Sequence, residues 1–174
     1  YMTENEISDL AEKNFRETAQ YLLDHLDELT VDLKSAILLN RMLTKGLVPE
    51  KARGNYLFRP DPPFAKQMDD FTGRDPQRFY QWLESNGARD LWHRDPVTFA
   101  EIVHNNLIAL DSFPDGNGRL SRMFADLALL KSGLAPAYYT DMLDYFERGN
   151  ARSYDEDNRP LSRDARIRYF REIV

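Results

Sequence analysis

Residues 95–133, DPVTFAEIVHNNLIALDSFPDGNGRLSRMFADLALLKSG, carry two helical apolar stripes separated by a short glycine-bearing loop. Asp95 stands where it can accept hydrogen bonds from the free N–H groups of a helix start. Pro96 occupies the first turn, where its missing donor removes nothing. Phe99, Ile102, Val103, Leu107 and Leu110 form the first stripe. Beyond the loop, Leu120, Met123, Phe124, Leu127 and Leu130 form the second, which stops at Gly133 with Pro136 beyond it. The spacing predicts two core helices meeting at one loop.

Working outward, Leu10, Phe15, Leu22, Leu23, Leu26 and Leu29 predict a long helix over 8–29. Thr30 is the expected cap of a second helix, with Leu33, Ala36, Ile37, Leu38, Leu39, Met42 and Leu43, ended by Gly46. Its apolar density makes it the expected central helix. From 49 to 73 the pattern breaks: residues 53–58 alternate weakly, and Pro60, Pro62 and Pro63 forbid a helix, so a loop or small β-hairpin is expected. A short helix is expected over 77–85, ended near Asn86-Gly87, with further helices over 142–148 and 164–173. The intervening RGNARSYDEDNRP is expected to be exposed. The sum is an all-α bundle with one irregular segment.

At 174 residues, with no glycine/serine linker and no repeat, the chain fits a single domain over 1–174. A hydrophobic share of 42% exceeds that of disordered chains, and a net charge of −6 argues against a general nucleic-acid or membrane binder. The absence of cysteine excludes disulfides and thiolate metal sites. No apolar stretch approaches the roughly 20 residues of a membrane span, and YMTENEISD lacks the basic and apolar regions of a secretory signal. A cytoplasmic location is expected. Delivery into a host cell is the alternative to that location, and Tyr1 ahead of Met2 leads to the separate expectation of one domain from a longer protein.

The loop itself has the composition of an anion site. Gly116 and Gly118 flank Asn117, so backbone N–H groups can converge without a Cβ limiting dihedrals or ligand approach. The next helix is expected to begin near Arg119, aiming a partial charge of roughly +0.5 at the same point. Arg119 and Arg122 can grip successive phosphates, and Asp115 offers a hard oxygen for Mg²⁺. A nucleotide polyphosphate is the ligand these groups suit. The plainer alternative is a tight turn with solvated arginines.

Residues 111–122 resemble the Fic signature HPFx(D/E)GNGRxxR, matching at Phe113, Asp115, Gly116, Asn117, Gly118, Arg119 and Arg122. DPVTFAEIVHNNL is similar to the helix leading into the Fic loop, and LLNRMLTKGLVPEKARGNYLF to the family's earlier helix and flap. The resemblance implies a Fic-type helical bundle with a small β-hairpin flap over 49–73. It implies Mg²⁺-dependent transfer of AMP from ATP to a protein hydroxyl. Phe113 would anchor the loop and Asp115 would hold Mg²⁺. Gly116, Asn117, Gly118, Arg119 and Arg122 would bind the nucleotide, with Asn117 also among the catalytic residues. Ser8 and Glu12 resemble the inhibitory motif (S/T)xxxE(G/N), although Lys13 stands at its small-residue position; Glu12 would pair with Arg122. Tyr56 and Phe58 would belong to the flap that holds a target segment by strand addition. Core packing is the alternative for both aromatics.

The departure falls on the family's proton-accepting histidine, which is Asp111 here, and on the following proline, which is Ser112. Reference pKa values of about 3.9 against 6.5 give aspartate roughly 3.5 kcal/mol less proton affinity, only part of which reaches the rate. Three readings of Asp111 stand: a substitute base, the mark of a binding-only site, or a group serving altered transfer (UMP, phosphoryl, phosphocholine or a small-molecule acceptor). It can also join Asp115 in holding metal. His104 shares a helix face with Asp111, but two helical turns separate them by about 10 Å, so a structural role is expected. His25 and His93 are expected at the surface or in caps.

Overall fold

The computed structural model describes residues 1–56, 76–139, 141–152 and 154–174. In chain order the helices are α1 (Glu4–Asp24), α2 (Leu33–Leu43), α3 (Pro76–Leu83), α4 (Asn86–Arg94), α5 (Pro96–Leu110), α6 (Asn117–Lys131), α7 (Met142–Asp144) and α8 (Arg163–Ile173). A 3₁₀ turn covers Glu50–Ala52, and a π-helical turn, Tyr145–Gly149, continues α7. The described residues hold no β-strand, only two isolated bridges, Lys45 with Val48 and Tyr154 with Pro160. The fold is all-α. The hairpin expected over 49–73 falls largely on residues outside the described set, as does Phe58; the described part, up to Tyr56, is the 3₁₀ turn and the loop after it.

The predicted pair α5 and α6 forms the largest helix contact of the bundle. Asp95 caps α5 by accepting from Thr98 N at 3.1 Å, and Pro96 opens it. Every residue from Phe99 to Leu110 is buried. This makes α5 the central helix, in place of α2. The central position is hard to read from periodicity because α5 is buried on all faces, including those holding Glu101, His104, Asn105 and Asn106. Helix α2 packs on α6 and α1, leaving Leu38 37% exposed. One apolar cluster runs from Leu22 of α1 through Phe99, Leu107, Phe113 and Phe124 to Phe170 of α8.

Helix ends correct the sequence reading at several points. Helix α1 starts at Glu4, where Thr3 and Glu6 form a reciprocal capping box, and ends at Asp24; Leu26 and Leu29 lie in the turn after it. Asp32, and not Thr30, caps α2, its Oδ1 accepting from Ser35 N at 2.8 Å. Asn86-Gly87 starts α4 instead of ending a helix, because Ser85 accepts from Ala88 N at 3.2 Å. His25 is the C-cap of α1, its ring stacked on Tyr21 at 3.9 Å, and His93 is exposed in the last turn of α4. The stretch after α7 is not uniformly exposed: Gly149, Asn150 and Ala151 are buried under α8 and α5. No helix is long and apolar enough to cross a membrane among the described residues.

Candidate active site

The motif loop hangs between the C-terminus of α5 and the N-terminus of α6. Asp111 ends α5 in the left-handed region, at φ 46°, ψ 47°, a conformation that short polar residues tolerate better than branched ones. Phe113, 1% exposed, fills the core beneath the loop beside Tyr56, whose ring lies 6.2 Å away. Burying such a side chain stabilises by about 2–3 kcal/mol, which fixes the loop to the bundle. Tyr56 also meets Tyr80 edge-on at 5.4 Å.

Asn117 organises the turn. Its Oδ1 accepts from Phe113 N at 3.0 Å, while Nδ2 donates to the Phe113 carbonyl at 2.8 Å and to Asp111 Oδ1 at 2.8 Å. Asn40 of α2 donates to the Asp115 carbonyl at 2.8 Å, tying the outer limb of the loop to the neighbouring helix. Gly116 has φ 80°, and a Cβ there would lie 3.1 Å from Thr44 Cγ2 and 3.3 Å from Asn40 Nδ2, so both conformation and space demand glycine. Gly118 differs from its sequence reading. It lies inside α6, without a positive φ, and a Cβ would meet nothing within 4 Å. What it keeps open is the space in front of the helix.

That space matters because α6 begins at Asn117, two residues earlier than expected, with Gly116 as an N-cap that offers no side-chain acceptor. The first backbone hydrogen bond of the helix runs from Leu120 N to Gly116 O at 2.8 Å, so the amides of Asn117, Gly118 and Arg119 lie in the turn where helices leave donors unused. The helix end faces a cavity of about 300 Å³ lined by Asp111, Asp115, Gly118, Arg119, Arg122 and Arg152, among others. Arg119 reaches Asp115 Oδ2 at 3.1 Å and the Leu43 carbonyl at 3.3 Å. The guanidinium of Arg122 lies 5.8 Å from the centre of the Tyr145 ring. Arg152 comes from the loop after the π-helical turn and meets Asp111 Oδ1 at 3.5 Å. Sequence reasoning missed Arg152, since no local motif marks a residue that arrives by tertiary packing.

The chemistry this arrangement permits is anion binding at a dipole end ringed by three arginines. Asp115 is half exposed and engaged by Arg119 and by Gly116 N, which donates to Oδ1 at 2.6 Å. Among the described residues no three histidine or carboxylate groups gather as a metal cluster. Ser112, in place of proline, is fully buried, and its hydroxyl has no hydrogen-bond partner among the described residues.

His104 is fully buried, with Nε2 2.7 Å from the Tyr145 hydroxyl. Burial, reinforced by the charge of Arg122, depresses its pKa to about 3, so the ring is neutral and packed. One turn beyond Arg122, burial raises Asp126 to about 7 although Ala137 N donates to it. Glu12 pairs with Arg16 on the exposed face of α1, and Ser8 is exposed. No ion pair joins Glu12 to Arg122 among the described residues. A larger cleft of about 1010 Å³, between the start of α2, α4 and the end of α6, contains none of the motif residues.

Over 60 residues, 34% of its length, the chain is 38% identical to proteins named Protein adenylyltransferase Fic from Drosophila mojavensis, Drosophila grimshawi and Drosophila melanogaster. The matched segment spans 11% of the first of these relatives and 12% of the other two. No family model matches the chain. Among solved structures, Fic-1 (aa134–508) from C. elegans covers 71% of this chain and 37% of its own, with 22% identity and a TM-score of 0.49. In the motif held at residues 111–122, and over that 60-residue segment, the chain is similar to the Fic adenylyltransferases.

Proposed function

We propose that the chain is a Fic-type nucleotidyl transferase domain that moves AMP from ATP to a hydroxyl of a target protein, with Asp111 in place of the usual base. The observation that carries this reading is the uncapped start of α6 opening into a cavity lined by Arg119 and Arg122. The names of the curated relatives support the same chemistry. In the reaction, the acceptor hydroxyl oxygen bonds to the α-phosphorus, the bond from that phosphorus to the bridging oxygen breaks, and pyrophosphate leaves. The hydroxyl proton passes to the Asp111 carboxylate. Asn117 Nδ2 holds that carboxylate in place, and the helix amides and arginines stabilise charge on the phosphate oxygens.

Asp115 suits Mg²⁺ in donor type and exposure, since magnesium is commonly held by one or two carboxylates together with substrate phosphates. Its carboxylate would exchange the Arg119 contact to do so. A bound magnesium ion supplies charge neutralisation for the phosphates. Inhibition through Ser8 and Glu12 belongs to the same proposal and requires the Glu12 carboxylate to leave Arg16.

Incubation with labelled ATP and Mg²⁺ tests the reading. Label on the protein or on lysate proteins, increased by Glu12→Gly, is expected. Its complete absence in both forms would count against transfer. The second reading, a nucleotide-binding module without turnover, is favoured by one observation: the Asp111 carboxylate is already engaged by Arg152 and by Asn117 Nδ2. Restoring the family residue by Asp111→His distinguishes them, because a large gain in transfer means the pocket is otherwise competent.

A further inference from the structure

The segment 145–152 is fastened to the bundle by buried side-chain amides. Asn105 of α5, fully buried, accepts from Ala151 N at 2.7 Å and donates to the Gly149 carbonyl at 3.3 Å. Asn150, 2% exposed, donates to the Tyr145 hydroxyl at 3.1 Å and accepts from the backbone N–H of Arg152 at 2.8 Å. Each of these bonds, if broken, leaves a buried polar group unsatisfied, so together they fix the backbone. A Cβ on Gly149 would clash with the Tyr169 ring, so the chain is held from that side as well.

The consequence is a fixed position for Arg152 at the rim of the motif cavity. Its side chain is 41% exposed and lines the same space as Arg119, Arg122 and the backbone of Gly116 to Gly118. Its contact with Asp111 Oδ1, through Nη2 at 3.5 Å, is longer than the fork that arginine and carboxylate form when well matched. A phosphate entering this cavity offers a more highly charged acceptor for a fork at the same rim.

We propose that Arg152 is a phosphate-binding residue for the polyphosphate chain of a nucleotide, and that on binding it exchanges Asp111 for that anion. This rests on the nucleotide reading above. The exchange leaves the Asn117 hydrogen bond to Asp111 Oδ1 in place.

Calorimetric titration of ATP with Mg²⁺, and of AMP, into the wild type, Arg119→Ala, Arg152→Ala, Arg152→Lys, Asp111→Asn and the Asp111→Asn/Arg152→Ala double variant tests the proposal. Arg152→Ala is expected to weaken ATP binding by about tenfold to a hundredfold, as for a lost charged hydrogen bond, and AMP binding by less. Arg152→Lys should recover part of the loss. Arg152→Ala should cost a larger factor in the Asp111→Asn background than in the wild type, because there the Asp111 carboxylate no longer competes with the phosphate for Arg152. Unchanged ATP affinity in Arg152→Ala, while Arg119→Ala weakens it, overturns the inference and leaves the nucleotide reading standing. Equal losses for ATP and AMP with a lowered melting temperature mean a structural role and overturn it too. Independent effects of the two substitutions overturn the exchange. No ATP binding by the wild type overturns both readings.

Discussion

Asn117 Nδ2 donates to Asp111 Oδ1 at 2.8 Å, joining the C-cap of α5 to the first turn of α6 across the motif loop. The same side chain satisfies both the N–H and the carbonyl of buried Phe113. Asn117→Ala therefore strands two backbone groups and a carboxylate contact. A loss of about 1–3 kcal/mol in denaturant unfolding is expected, since the Phe113 amide has no solvent to turn to. An unchanged midpoint would mean the loop is held by Phe113 packing alone.

The two glycines of the loop should behave oppositely. Gly116→Ala forces a side chain into a left-handed backbone and against Thr44 and Asn40, with an expected destabilisation of about 1–3 kcal/mol. Gly118→Ala meets open space inside a helix, so thermal stability should hold within about 0.5 kcal/mol. If phosphate approaches the α6 amides there, Gly118→Ala weakens ATP binding without touching the fold. Melting curves and ATP titrations of the pair check this.

Much of this was legible in the chain, and the failures have physical reasons. Asp95-Pro96 and the two stripes announced α5 and α6 because cap chemistry and helical spacing agreed. The start of α4 was hidden because Asn86-Gly87 carries turn chemistry, while Ser85 one residue earlier supplied the cap. Thr30 and Asp32 both qualify as caps; only the fold aligns Asp32 with Ser35 N. In the site, Asp111 to Arg122 form one contiguous run and could be read together. Arg152 reaches the cavity through Asn105 and Asn150, polar residues buried at the centre of the bundle, and their packing has no local signature.

Two groups shifted by desolvation, the half-buried Asp126 and the buried His104, oppose each other in pH dependence. Asp126, raised to about 7 from 3.8, keeps a proton in the folded state that the unfolded chain has lost, so its contribution falls as pH rises through that window. His104, lowered to about 3 from 6.5, lacks a proton that the unfolded chain holds, so its contribution rises with pH. Between about pH 4 and 6.5 the two slopes cancel. Asp126→Asn should uncover a stability that falls on acidification by up to about 1.4 kcal/mol per pH unit, and His104→Gln the reverse. Urea unfolding from pH 4 to 7 reads both; matching slopes in the wild type and the two variants would refute the assignment.

Ser112 buries a hydroxyl without a described partner at the position where the family signature has proline. Ser112→Ala removes that desolvated group and should stabilise the fold by about 1 kcal/mol, measured by the shift in the urea midpoint. A destabilised variant would show that the hydroxyl is satisfied.

The proposed transfer requires that nucleotide phosphates bind at the start of α6. Calorimetric titration of ATP with Mg²⁺ into the wild type and into Arg119→Ala, with melting curves recorded on both, tests it most directly. Saturable binding that is weakened at least tenfold in a folded Arg119→Ala is the predicted result. No binding by the wild type, or equal binding by both, would contradict it.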